Sequence, residues 1–406
     1  MNYVIIGNSA AAVGCVEGIR SVTPKGKITL ISKEHHHTYS RPLISYYLCG
    51  KTDCERIKYR PDSFYADNGC ELLYGEATGI STNEVTLADG KKIPYDKLLV
   101  ATGSRAFVPP FSGLDTVPEK FTFMSMDDAL ELEKVLGKDK DVLIVGGGLI
   151  GLKCAEGIYG RVKKITVADM APRVLSSILD DDSAAPVQKM LTEKGIALRL
   201  GCAIKGFEGN IAKTDGEDIP FDILVLAVGV RPNTELVKDA GGKVGRGILT
   251  DHHQRASLKN VWAAGDCTES DDITCCQSRI LALLPNAYRQ GETAGIDMAG
   301  GEASFDCAMP MNSMGLLGMH IMTAGSPNGE CYVDRSNGLK KLYYCDDHLN
   351  GFILIDDVGK AGIYTALIRD RKPLSSIDFD LVCKQPSLLC FSKKYRDEKL
   401  AGKSEN

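Results

Sequence analysis

A strand, a small-residue turn, a helix and a second strand follow one another twice in this chain, about 140 residues apart, and this doubling constrains the fold more than any other feature. Tyr3–Ile6 (YVII) runs into GNSAAAVGCVEGIR and then Lys27–Ile31 (KITLI). Asp141–Val145 (DVLIV) runs into GGGLIGLKCAEGIYG and then Lys164–Ala168 (KITVA). Short β-branched runs on both sides of a glycine- and alanine-rich helix predict a βαβ unit. Two such units predict an α/β chain with two Rossmann-like, doubly wound parallel-sheet domains. LLVATGSRAFVPPFSG carries a strand and then a Pro-Pro break, a crossing point between domains, and DILVLAVGVRPN closes the second unit near Asn233. From Met309 onward no glycine fingerprint recurs. There Leu339–Tyr344 and Gly351–Ile355 flank an Asp-Asp-His-Leu-Asn turn and predict a hairpin in a third, α+β unit. The closing KKYRDEKLAGKSEN is almost wholly polar and is expected to fray.

The 406 residues suffice for about two to three domains with real cores, and 44% apolar with 25% charged residues is ordinary globular composition. A formal charge of −5 excludes the electrostatic footprint of a nucleic-acid binder. The apolar run Ile223–Val230 has eight residues, where a membrane helix needs about 20, so no membrane span is expected. Met1 leads almost at once into YVII, leaving no secretory leader, and the expected location is the cytoplasm. The 14 cysteines are scattered with no C-x-x-C pair, which predicts reduced, mostly buried thiols and no bound metal. His35, His36 and His37 have no second ligand cluster and read as a solvated loop.

Gly146, Gly148 and Gly151 form a full G-x-G-x-x-G between a predicted strand and a predicted helix. The first glycine makes the tight turn and the second lets the backbone approach a pyrophosphate. The third packs helix against strand, and the helix N-terminus meets the negative charge. Asp169, 23 residues past Gly146, can accept from a ribose 2′-hydroxyl and would repel a 2′-phosphate, which favours NADH over NADPH. Arg173 pulls the other way, since its guanidinium could fold over a phosphate. The first copy is degenerate, with Gly7, Ser9 and Ala12 at the three positions and Glu34 as the ribose acid. Two dinucleotide sites ask for two dinucleotides, and a chain that binds NADH beside a second one most economically binds FAD. VWAAGDC sets Asp266 where it could hold ribityl hydroxyls near a helix start, or else makes a plain turn. LALLPNAYRQGETAGIDMAG reads as a helix that could bring backbone donors toward a flavin ring.

Together VIIGNSAAAVGC, TYSRPLIS, LLVATGS, LIVGGGLIGL, LAVGVRPN and VWAAGDCTE resemble the FAD- and NAD-dependent pyridine nucleotide-disulfide oxidoreductases over residues 1 to about 310. The nearest branch is the NADH-rubredoxin/ferredoxin reductases and the flavin part of NADH-nitrite reductases. The resemblance implies an FAD-binding domain at 1–111 and 234–310, an NAD-binding domain inserted at 112–233, and a C-terminal interface domain at 311–406. It implies FAD contacts at Gly7, Ser9, Ala10, Ala11, Glu34, Arg41, Ala101, Thr102, Gly103 and Asp266. The implied NAD contacts are Gly146, Gly148, Leu149, Ile150, Gly151, Asp169 and Gly229.

Departures from that pattern matter. Disulfide-active relatives carry a redox cysteine in the segment aligned with SRPLISYYLCG, and Pro42 takes its place; Cys49 lies seven residues on. Ferredoxin-reductase relatives usually pair a lysine in this segment with a glutamate two residues past the third glycine of the NAD motif, and Tyr46 and Lys153 stand there. Both are expected on the flavin side, Lys153 with an anionic neighbour for which reduced flavin is the candidate, because a cation near a helix N-terminus is otherwise unfavourable. The expected activity is FAD-dependent transfer of electrons from NADH to a small iron–sulfur protein of rubredoxin or ferredoxin type, or to an iron–sulfur subunit. The alternatives are an NADH oxidase, a peroxidase or a coenzyme A disulfide reductase-like enzyme, and, in another class, a flavin-bearing structural or signalling subunit. A homodimer or a larger redox complex is compatible with this reading.

Overall fold

A computed structural model of the chain describes residues 1–275 and 277–400. They form two compact units, one of Met1–Ser270 and Ser278–Asp306, the other of the remaining described residues. In chain order the first unit opens with β1 (Asn2–Ile6), α1 (Ala10–Val22), β2 (Lys27–Ser32), α2 (Ile44–Leu48), β3 (Cys70–Tyr74) and β4 (Lys97–Val100). It continues through β5 (Lys120–Thr122), α3 (Met126–Val135), β6 (Asp141–Val145), α4 (Leu149–Ile158), β7 (Lys164–Asp169), α5 (Asp181–Glu193), β8 (Ala197–Leu200) and β9 (Ile223–Leu226). It closes with β10 (Val261–Ala263) and α6 (Leu284–Met298).

Two five-stranded parallel sheets result, ordered β10-β4-β1-β2-β3 and β8-β7-β6-β9-β5. YVII and DVLIV take the equivalent central places, with Ile5 opposite Leu30 and Ile144 opposite Val167. Tyr3–Ile6 and Val142–Val145 are buried throughout, as continuous apolar runs covered on two faces must be, and only Asp141 at the start of β6 is half-buried. The chain passes between the sheets along two short strands, 104–106 and 230–232, which pair antiparallel. The expected α/β architecture is therefore present, with its doubled parallel sheets.

Helix α1 is built from small residues because α6 lies directly on it. A Cβ added at Gly14 would lie 2.2 Å from the Tyr288 carbonyl oxygen, and one at Gly18 2.3 Å from that of Glu292. From the other side, Gly291 meets Ala11 O at 1.9 Å and Gly295 meets Cys15 O at 2.2 Å by the same measure. Glycines spaced by four on both helices let backbone touch backbone. On the rim of this pair Arg60 donates two hydrogen bonds to Glu17, and the Tyr288 hydroxyl donates a third at 2.6 Å.

The second unit carries an antiparallel sheet ordered β11-β12-β15-β14-β13, from β11 (Met311–Leu316), β12 (Met319–Gly325), β13 (Glu330–Asp334), β14 (Leu339–Cys345) and β15 (His348–Ile355). Helices α7 (Ala361–Arg369) and α8 (Phe379–Lys384) pack against it through Leu342, Phe352, Tyr364 and Val382, so this part is α+β. The hairpin is tighter than the sequence predicts. Only Asp346 and Asp347 turn the chain, both with positive φ (49° and 62°), while His348, Leu349 and Asn350 belong to β15. Lys393–Leu400 is helical rather than frayed, and residues 401–406 lie outside the described residues. Thiol burial also departs from expectation. Of the thirteen described cysteines, all free, five are buried, six half-buried and two exposed; Cys276 lies outside the described residues.

Candidate functional site

The turn after β1 is fixed by its first glycine. Gly7 has φ +124°, and a Cβ there would stand 2.2 Å from the carbonyl oxygen of Ala101 at the end of β4. Only glycine fits, and the obstacle is the protein's own backbone. Ser9 caps α1 with extended backbone and no side-chain cap bond, so Ala10 and Ala11 open a helix of thirteen residues whose first N–H groups suit a phosphate. Asn8 ties the turn to the segment after β2. Its Nδ2 donates to His36 O at 3.2 Å, and its Oδ1 accepts from the Tyr65 hydroxyl at 2.8 Å, which itself accepts from Thr38 N.

Glu34 lies two residues beyond β2, and side chains hold it: Arg41 Nη2 donates to Oε1, and Tyr39 donates to Oε2 at 2.6 Å. Arg41 also donates to Met124 O, and the Tyr39 hydroxyl accepts from Met126 N. Asp266 sits in a turn and not at a helix start; the helix predicted beyond it is α6, from Leu284. Burial pushes the Asp266 carboxyl above its usual value, with Arg41 opposing the shift. Asn233 binds the loop after β4, accepting from Thr102 Oγ1 at 2.7 Å through its carbonyl and donating to the carbonyls of Thr102 and Gly103 at 2.9 Å each. Thr38 Oγ1 and His37 Nε2 are buried with no hydrogen-bond partner among the described residues. Buried polar groups want partners. These orphans, the glycine turn and the open α1 N-terminus fit a dinucleotide.

The histidine triplet is not the solvated loop expected. His35 stacks on Tyr74, the His37 ring packs edge-on against Tyr65, and His36 Nε2 lies 2.7 Å from Asp127 Oδ1.

The second glycine turn repeats the first. Gly146 has φ +115°, and its added Cβ would meet Ala227 O at 2.2 Å; at Gly151 the obstacle is Gly146 O at 1.9 Å. At Gly148, which caps α4 ahead of Leu149 and Ile150, nothing lies within 4 Å. That is the open face a pyrophosphate needs. Asp169 closes β7 with its carboxylate held by backbone: Gly147 N donates to Oδ2 at 2.6 Å and Ala171 N to Oδ1 at 2.8 Å. A carboxylate has about four acceptor positions, so two remain for ribose hydroxyls. Gly229 stands just beyond β9, where its carbonyl accepts from Phe107 N.

Between the two turns runs α2. A Cβ at Gly157 of α4 would lie 3.0 Å from Ser45 O, so α4 and α2 touch. The Tyr46 ring carries Lys153 Nζ 4.2 Å and Lys51 Nζ 5.0 Å from its centroid. Both ammoniums pair with Glu156, which is only 3% exposed. The anionic neighbour that Lys153 requires is thus supplied by the protein itself. Tyr47 donates to Glu133 Oε2 at 2.9 Å, and Arg161 donates to Glu133 Oε1 and to Leu48 O. Burial and the Glu133 acceptor push the Tyr47 phenol up to about 12. Pro42 lies in a single 3-10 turn, Arg41–Leu43. The Cys49 thiol donates back to Tyr46 O at 3.5 Å, and Cys54 is exposed.

Asn8, Tyr65, Asn233, Glu133, Arg161 and Glu156 were not singled out from sequence. Only Asn233 had a signal, as the last residue of LAVGVRPN.

Residues 1–291 match the family described as pyridine nucleotide-disulphide oxidoreductase. The epsilon subunit of an NADH-dependent phenylglyoxylate dehydrogenase from Aromatoleum evansii is 30% identical, over 92% of this chain and 93% of that one. An NADH oxidase from Methanocaldococcus jannaschii is 33% identical, over 75% and 71%. Among solved structures, the covalent putidaredoxin reductase–putidaredoxin complex shares the fold, with TM-score 0.87 and 24% identity over 100% of this chain and 99% of that one. With two glycine turns and a family match across most of its length, the chain belongs to the pyridine nucleotide-disulphide oxidoreductase family and is an NAD(P)H-dependent flavin oxidoreductase that uses FAD and NADH.

Proposed function

We propose that this chain takes electrons from NADH through FAD and passes them to a small iron–sulfur protein of rubredoxin or ferredoxin type, or to an iron–sulfur subunit of a larger redox complex. The observation that carries this reading is the segment joining the two sites. Pro42 occupies the position of a redox thiol, and Cys49, the next thiol, is turned back onto its own helix. With no dithiol there to hold electrons, they leave for an external acceptor. The relative that matches over nearly all of both chains is one subunit of an NADH-dependent dehydrogenase, which supports a partner subunit as that acceptor. It also favours assembly in a complex over a homodimer.

Gly7, Ser9, Ala10 and Ala11 would seat the FAD pyrophosphate on α1. Glu34, fixed by Arg41 and Tyr39, would take the ribose, and Ala101, Thr102, Gly103 and Asp266 would line the flavin side. Gly146, Gly148, Leu149, Ile150 and Gly151 would seat NADH on α4, with Asp169 on its ribose and Gly229 beside it. When bound, FAD supplies the two-electron to one-electron chemistry that a hydride donor and a single-electron acceptor require. Lys153 and Tyr46 would stand on the flavin side of the seam, where Glu156 fixes the Lys153 and Lys51 ammoniums on the phenol face. The chain's own task is to hold two rings in near-attack geometry and to exclude water.

The antiparallel pairing of residues 104–106 with 230–232 supports an NAD-binding insertion at 112–233 between FAD-binding parts at 1–111 and 234–310, ahead of an interface domain at 311–406. The thirteen described cysteines, all free, fit a reducing compartment, the cytoplasm. No described helix is long and apolar enough to cross a membrane.

The test is anaerobic reduction of the purified yellow protein by NADH, followed by mixing with oxidised ferredoxin, oxidised rubredoxin or oxygen. Acceptor reduction many times faster than oxygen consumption is expected. Fast oxygen turnover with sluggish iron–sulfur transfer would favour oxidase function, the second reading, which the M. jannaschii relative supports.

A further inference from the structure

The loop between β7 and α5 contains one cation, Arg173, and the structure shows where it is held. Gly147 holds the first half of this loop: its N–H donates to Asp169 Oδ2 at 2.6 Å, and its carbonyl accepts from Leu175 N at 2.8 Å. Residues 169 and 175 are therefore pinned to the same residue of the glycine turn. Leu175 keeps φ +52°, a left-handed value costly for a leucine, which shows how firmly the surrounding contacts fix the loop. Arg173 lies between these two pinned residues, two before Leu175 and four after Asp169, and its side chain points to the start of α5. Its Nε donates to Leu179 O at 2.8 Å and its Nη1 to Asp181 Oδ1 at 3.0 Å, in the first turn of α5. Among the described residues Nη2 makes no hydrogen bond.

We propose that Asp181 is a positioning residue for dinucleotide choice: it holds the Arg173 guanidinium at the start of α5, so that a ribose 2′-phosphate would meet the Asp169 carboxylate without a compensating cation. The inference rests on reading residues 146–169 as the NADH site. Selectivity then has two parts. Asp169 repels the extra phosphate, and Asp181 withholds the group that could neutralise it. Asp169 is held by backbone N–H groups, while the guanidinium is held by the Leu179 carbonyl and the Asp181 carboxylate. Asp181 is 86% exposed, so its hold on Arg173 is modest and replaceable.

The test compares NADH and NADPH in dye reduction by the FAD-loaded protein. Releasing an exposed ion pair is worth about two- to fivefold, so Asp181→Asn should raise kcat/KM for NADPH by that factor. The gain should come through KM, with NADH kinetics unchanged. Asp181→Glu, which can still capture Arg173, should behave as the parent, and Arg173→Met added to Asp181→Asn should abolish the gain. 2′-AMP should also compete with NADH more tightly in Asp181→Asn, while 5′-AMP should not. A parent that prefers NADH, together with an Asp181→Asn variant unchanged toward NADPH and 2′-AMP, overturns the role of Asp181. So does a gain that survives the loss of Arg173. Equal kcat/KM for both dinucleotides in the parent overturns instead the Asp169 reading beneath it.

Discussion

In the half proposed for FAD and the half proposed for NADH the same turn is made against the same obstacle. Gly7 and Gly146 both carry large positive φ, and an added Cβ would meet the carbonyl of Ala101 or Ala227 at 2.2 Å in each case. The halves part at the third position. Gly151 has the Gly146 carbonyl 1.9 Å from where a Cβ would be, whereas Ala12 holds a real and wholly buried methyl. They part again at the acid, which side chains of Tyr39 and Arg41 hold in one half and backbone N–H groups hold in the other. The first glycine therefore belongs to the architecture in both halves and the third, Gly151, in the second alone, while the open Gly148 is the position left to a ligand. Asp169 is oriented by its own loop. Glu34 depends on a segment anchored at Met124 and Met126, beyond its own sheet.

The largest effect should come from the shared glycine. Gly7→Ala and Gly146→Ala each force a methyl into a carbonyl, at a cost of about 2 kcal/mol or more, and thermal unfolding should register both equally. If Gly7→Ala kept parental stability and flavin content, the equivalence of the two turns would be lost. Next, Asp169→Ser should narrow the NADH preference by roughly tenfold, read as a ratio of kcat/KM. Glu34→Gln should leave that ratio alone and speed release of FAD. Lys153→Met crosses the halves, since the residue sits on the NAD helix but is assigned to the flavin. We expect a lower flavin midpoint potential and about two- to tenfold slower reduction by NADH, with FAD content unchanged. Parental values for both would leave Lys153 serving Glu156 alone.

The smallest effect is expected in acid. Hydrogen bonding to Arg60 lowers the Glu17 carboxyl below its usual 4.5. A depressed carboxylate contributes stability that is present above the ordinary value and is lost as the pH falls through the folded one. The Tm difference between the parent and Glu17→Gln should accordingly hold at neutral pH and shrink below about pH 4.5.

What was legible in the sequence is what repeats locally. YVII and VLIV are unbroken apolar runs, and Gly146-Gly148-Gly151 announces its turn by spacing alone, so both sheets could be placed, and with them the chain positions of Glu34 and Asp169 near the ends of their second strands. Asp346-Asp347 was blurred because aspartate tolerates positive φ without requiring it, so the turn could not be trimmed to two residues. The seam was invisible. Tyr47 in α2, Glu133 in α3 and Arg161 in the turn after α4 meet from segments far apart in the chain, and Glu156 reads as one more charge on an amphipathic helix until Lys51 is seen beside it. The histidines failed for a similar reason: Tyr65 and Tyr74, which receive the rings of His37 and His35, lie in another part of the chain.

The glycine crossing of α1 and α6 sets an order of assembly. A ribosome adding about 5–20 residues per second emits α1 first and needs roughly 15–50 s more before α6 exists to cover it. All of the NAD half is made in that interval and has its strands in hand, while α1 carries two glycines that weaken it as an isolated helix by about 1 kcal/mol each. The flavin-binding half is thus the first begun and the last completed. A polypeptide truncated before residue 284 would present the bare backbone of Gly14 and Gly18 to whatever chaperone, or neighbouring nascent chain, arrives first.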